Sequence, residues 1–155
     1  MAVKDQRQQN RTRLPVYKER FKTLIANVPG AIYRCGDDIY WTMEFLNDEI
    51  TTISGYRASD FIYHQGRSFS SIIYPEDRDR VFQEVQEAIS RRKPYTVKYR
   101  ITRSDGVIAW IKDKGRGIFD PDHKLQWLDG IILDITKKNN LKLHCSKVKY
   151  SFKCL

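Results

Sequence analysis

Cysteine is scarce in this chain: Cys35, Cys145 and Cys154 are the only three in 155 residues. An odd count without a CxxC pair gives no sign of a disulfide framework. His144 and Cys145 are adjacent, which is poor geometry for sharing one metal, so the thiols read as unremarkable. No apolar run approaches the roughly 20 residues that cross a bilayer. The first residues, MAVKDQRQQNRTR, are basic but contain no apolar stretch of the signal-peptide kind, so a cytoplasmic location is expected. Also missing are a GxxxxGK[ST] loop, a Ser/His/acid order and any metal-ligand spacing. No catalysis is expected from these residues; any catalytic output would lie outside them.

What the chain does have is a neutral body with basic ends. The net charge is +9, yet residues 15–136 hold 18 acids and 18 bases. Lys4, Arg7, Arg11 and Arg13 face only Asp5 at the start, and residues 137–155 carry six lysines and no acid. Charge confined to the ends is weak support for a nucleic-acid groove. The lysines interleaved with Tyr150 and Phe152 keep that reading open as an alternative, because aromatic rings stack on bases. The expected division is a basic segment over 1–14, one domain over 15–138, and a basic tail or truncated linker over 139–155.

Proline is sparse as well, and its five positions punctuate the chain. Between Pro15 and Pro29 the residues Val16, Tyr17, Phe21, Leu24 and Ile25 have helical spacing. Strands are expected over 31–35 and 39–47, paired as a hairpin. Short helices follow over 48–74, the first opened by Asp48 and ended by Gly55. Pro75 opens a longer helix with Val81, Val85, Ala88 and Ile89 on one face, and Pro94 closes it. Three strands are then expected over 95–103, 107–119 and 125–136, with Gly115 and Gly117 permitting a bulge or close packing. Two hairpin regions with short connections predict an α+β fold: one five-stranded antiparallel sheet with helices on one face.

Four pieces in order carry a resemblance: FLNDEITTISGY, IIYPEDRDRV, YTVKYRITRSDGVIAWI and LDGIILDIT. Together they resemble a PAS domain with its PAC-type C-terminal motif, over about residues 19–138. The resemblance implies the strand order 2-1-5-4-3. It also implies a sensory and dimerising module of a signalling protein, such as a sensor histidine kinase or diguanylate cyclase whose catalytic part lies elsewhere. By the same resemblance Asp134 and Thr136 end the last strand and lead to the output domain, with Gly106 and Trp110 in the hairpin beside them. An acid and a hydroxyl at a strand end can hold backbone donors or a basic side chain and so fix how the chain leaves the sheet. After Asp-Ile-Thr the family continues in a long amphipathic helix; here Asn139 and Asn140 are expected to break it.

Candidate pocket residues are Phe45, Ile53, Tyr56, Phe61, Phe69, Ile72, Val81, Val85, Tyr99 and Ile101. They are expected to fill a core, or to line a site for a small apolar ligand. Flavin–thiol photochemistry is not expected, because DFIYHQGRSF has no cysteine. Haem is not expected either, since the long helix has no histidine, and His64 reads as a solvent-facing loop residue. Phe21, Leu24 and Ile25 are the expected contacts of a homodimer formed through the first helix.

Overall fold

A computed structural model describes residues 16–140 of the chain. The basic first segment and most of the tail, with His144, Cys145, Tyr150, Phe152 and Cys154, lie outside the described residues. Helix α1 covers 16–26 and ends where Pro29 and Gly30 follow. Strands β1 (Ala31–Cys35) and β2 (Met43–Leu46) come next, then the short helices α2 (Glu49–Ser54) and α3 (Ala58–Phe61). Two single 3₁₀ turns, Phe69–Ser71 and Pro75–Asp77, lead into α4 (Arg78–Ser90). Strands β3 (Tyr95–Thr102), β4 (Ile108–Phe119) and β5 (Leu125–Asp134) complete the sheet. A last helical segment, α5, covers 136–140.

All pairings are antiparallel and the order is β2-β1-β5-β4-β3, as expected. The reason is visible in the alternation of β3. Tyr95, Val97, Tyr99 and Ile101 are buried while Thr96 and Lys98 are exposed. That face receives α4, whose Val81, Val85 and Ile89 are buried in turn. Each large apolar side chain removed from water contributes roughly 1.5–3 kcal/mol, so this helix–sheet contact is a principal source of stability. Gly55 ends α2 at φ 79, and its N–H bonds to the Thr51 carbonyl. Asp48 occupies the start of α2 but makes no side-chain cap bond.

Two expectations need correction, and a third is narrowed. The second strand begins at Met43, not at residue 39. Asp38 bends the intervening aromatic run into a turn: its Oδ1 accepts from the Tyr40 N–H at 2.8 Å and its carbonyl from Trp41 N–H at 3.1 Å. The sheet irregularities fall between Arg34 and Cys35 and between Ile118 and Phe119, so Gly115 and Gly117 serve close packing and not a bulge: a Cβ there would meet Tyr95 and Leu125. Finally, Asn139 and Asn140 are helical, and the Asn139 N–H donates to the Ile135 carbonyl at 3.1 Å.

Candidate functional site

Two regions stand out, one inside the sheet and one where the chain leaves it. The inner region centres on Asp113, in the middle of β4 and 8% exposed. Alternation places it there. Ala109, Ile111 and Asp113 share the inward face, with Val97 of β3 and Ile132 of β5 as cross-strand neighbours. Its carboxylate accepts from the Tyr33 hydroxyl at 2.8 Å and from the Tyr99 hydroxyl at 3.0 Å. Tyr33 has a single proton and gives it to Asp113, so Tyr95 is the donor in the 2.6 Å contact between the Tyr33 and Tyr95 hydroxyls.

A row of residues across the sheet makes this cluster possible. Tyr33, Gly130, Gly115 and Tyr95 are successive partners across β1, β5, β4 and β3. A Cβ on Gly130 would collide with the Tyr33 phenol, and one on Gly115 with the Tyr95 phenol. The two glycines therefore leave floor space over which the two phenols lie and meet.

Above the cluster is a cavity of about 20 Å³, the room one water molecule needs. Asp113 and the three tyrosines give it a polar wall. Trp41, Met43, Phe69, Val81 and Val85 give it an apolar one, and Cys35 completes the lining. Burial raises the Asp113 carboxyl from 3.8 to about 7, against the opposing pull of its two tyrosine hydrogen bonds. Burial, and then the Asp113 charge, push the Tyr33, Tyr95 and Tyr99 hydroxyls and the Cys35 thiol upward. Trp41 covers the cavity from a backbone held at φ 52, a left-handed conformation that stores strain in a residue with a Cβ.

Of the ten expected pocket residues, Phe69, Val81, Val85 and Tyr99 line the cavity. Ile53, Phe61, Ile72 and Ile101 are buried elsewhere in the core, and Tyr56 packs at its margin. Phe45 is on the opposite side of the sheet, 37% exposed, with the Phe21 ring at 6.2 Å. The irregularity beside β2 turns both Glu44 and Phe45 outward, which simple alternation does not anticipate. His64 is half-buried, with Nε2 at 2.7 Å from the Thr42 hydroxyl, rather than facing solvent. Sequence reasoning missed Asp113, Tyr33 and Tyr95. The signal was present, because carrying the β4 alternation two residues past Ile111 lands on Asp113.

The outer region is the knot at the end of β5. The Asp134 carboxylate accepts from the Thr136 N–H at 2.9 Å and from the Thr136 hydroxyl at 2.6 Å. Its other oxygen accepts from Arg103 at 2.7 Å. Thr136 Oγ1 in turn accepts from the Trp110 N–H at 3.0 Å, and the Trp110 carbonyl accepts from the Ile135 N–H at 2.9 Å. Gly106, at φ 84, supplies the turn of the β3–β4 hairpin whose base holds Arg103. Asp134, Thr136 and Trp110 are thus brought together; Gly106 acts through the hairpin, and Arg103 is the member that sequence reading did not name. On the same strand edge, Arg100 pairs with Trp110 across the ladder and grips the buried Asp77 with its side chain at 2.6 Å and 3.0 Å. That guanidinium holds the Asp77 carboxyl below its ordinary value.

A protein-family model described as PAS fold matches residues 43–132. The chain belongs to the PAS fold family. This PAS domain is 29% identical over 124 residues to an uncharacterized protein of Sinorhizobium fredii, covering 78% of this chain and 14% of that one. It is 26% identical over 104 residues to a blue-light-activated histidine kinase of Brucella anthropi, covering 64% of this chain and 20% of the kinase. The chain therefore spans a fifth or less of these two relatives. Among solved structures, a sensory box histidine kinase/response regulator from Burkholderia thailandensis superposes with a TM-score of 0.69 at 20% identity, covering 88% of this chain and 99% of that one. The Brucella kinase thus matches this PAS domain in sequence over part of its length, and the Burkholderia protein shares its fold.

Proposed function

We propose that this PAS domain is the sensory part of a larger signalling protein and that its output leaves through the Asp134–Thr136 knot. A single observation carries this reading. Asp113 and Trp110 are three residues apart on β4, roughly 10 Å along a strand. One faces the cavity, and the other holds the first turn of α5 through both its N–H and its carbonyl. A displacement of β4 at the cavity is thereby delivered to the segment that leaves the sheet. The output itself, a kinase or cyclase domain, belongs to the rest of the parent protein.

Residues 60–69 hold no thiol, which supports a reading without the flavin–thiol photochemistry expected of a light-sensing PAS domain. Among the described residues no group of three metal-ligating side chains occurs.

The direct test is a chimaera in which residues 15–140 replace the sensor domain of a histidine kinase. Asp134→Ala and Thr136→Ala are each expected to change autophosphorylation several-fold relative to the unsubstituted chimaera. Equal activity in all three would contradict the reading.

The same function includes pairing of two copies through α1. Phe21 and Leu24 are 57% and 68% exposed on α1, beside an open groove of about 700 Å³ lined by Ile25, Phe45 and Leu46. Sedimentation is expected to show a dimer at high micromolar concentration that Leu24→Asp dissociates; a monomer in both cases would refute it.

A further inference from the structure

Two carboxylates are buried in this domain, and they are treated differently. Asp77 is matched by the Arg100 guanidinium. Asp113 has no such partner: among the described residues no arginine, lysine or histidine pairs with it. Its surroundings offer no second charge. β1 presents Tyr33 and Cys35, β3 presents Tyr95 and Tyr99, and α4 presents Val81 and Val85. The remaining walls are Trp41, Met43 and Phe69. Buried charges are ordinarily paired, because desolvation of a lone ion is costly.

Proton counting sharpens the point. The four oxygen-bearing side chains make three contacts with one another: Tyr95 to Tyr33, Tyr33 to Asp113, and Tyr99 to Asp113. Three hydroxyl protons satisfy these contacts when Asp113 is ionised. A fourth proton, on Asp113, would leave one O–H in the cluster without an acceptor. The hydrogen-bond pattern therefore fits the anion, while the dry surroundings oppose it. A guest that brings positive charge and its own N–H donors resolves both demands. Spare lone pairs are available on Asp113 and on the phenol oxygens, and Trp41, Phe69, Tyr95 and Tyr99 line the same cavity.

We propose that the Asp113 cavity is a binding site for a water-sized cation that donates hydrogen bonds: ammonium, or the head group of a primary amine. The volume, about that of one water, fits ammonium itself. An amine with a short tail displaces the strained Trp41 cover toward solvent. The inference rests on the sensory reading above and names the class of its input. Binding requires the ionised carboxylate, so it strengthens as the pH rises through the Asp113 titration.

The test uses ammonium chloride as the probe, with potassium chloride at equal ionic strength as the comparison. Potassium carries the same charge and is of similar size but has no protons to donate. At about pH 8 and about 0.1 M salt, a site of roughly 10 mM affinity lowers the unfolding equilibrium constant about tenfold in ammonium relative to potassium. Asp113→Asn is expected to abolish the difference and Tyr95→Phe to reduce it. Titrating ammonium into the unsubstituted protein is expected to shift the Asp113 and Tyr95 resonances where potassium does not, a readout independent of whether a variant folds. Equal stabilisation by the two salts, an undiminished effect in Asp113→Asn, or the same resonance shifts with potassium would each overturn the proposal. The chimaera experiment contains no ammonium step, so a failure here leaves the role of the Asp134–Thr136 knot to be decided separately.

Discussion

At the scale of single residues, the two buried acids give opposite pH signatures. Arg100 lowers the Asp77 carboxyl, so its contribution is present at neutral pH and is lost as the pH falls through its folded value. Asp113 behaves in reverse. Its carboxyl is raised from 3.8 to about 7, so the folded chain holds that proton more tightly than the unfolded chain does. Its contribution is full below about pH 4 and is lost as the pH rises to about 7, an effect on the order of 4 kcal/mol. Asp113→Asn removes the ionisation at nearly the same volume, at the cost of one of the two acceptors that face Tyr33 and Tyr99. Urea unfolding between pH 4 and 8 is expected to show a stability decline in the unsubstituted protein that the variant lacks. The same decline in both would assign it to other groups.

At the scale of elements, the sheet explains what was legible in the sequence and what was not. Strand β3 was readable because it alternates cleanly, and β4 and β5 because their apolar runs are bounded by turn residues. The run Ile39–Thr42 imitated a strand through its aromatic content, but the Asp38 side chain makes a local turn that composition does not weigh. Phe45 was assigned to the core because period-2 alternation fails at a bulge. The helix at Asn139 was misjudged because its first turn is held from outside, by Trp110, and not by its own residues. The exit knot was foreseen from Asp134 and Thr136, yet the arginine completing it lies 31 positions earlier in sequence. Close packing was foreseen at Gly115, but its row partner Gly130 was not, since the row depends on register across four strands. Gly130→Ala tests that row. The added methyl drives the Tyr33 phenol away from Tyr95, and overpacking of this kind costs roughly 1–3 kcal/mol. The lost stability is expected in thermal unfolding, whereas Gly106→Asn, at an open turn position with nothing within 4 Å, should cost less. Equal losses at both sites would remove the special role of the row.

At the scale of the whole molecule, β4 joins an inner face that buries a carboxyl without a basic partner to an outer edge that fixes the departing helix. The central claim is that a change at Asp113 reaches that edge. Amide hydrogen exchange tests it most directly. At about pH 8 Asp113 is ionised, and asparagine removes that charge while replacing one of the two oxygens that accept from Tyr33 and Tyr99 with a donor. The account predicts that Asp113→Asn changes exchange at the Trp110, Ile135, Thr136 and Asn139 amides by roughly tenfold relative to the Ile89 amide in α4. Unchanged exchange at those four amides, or a uniform change that includes Ile89, would contradict it.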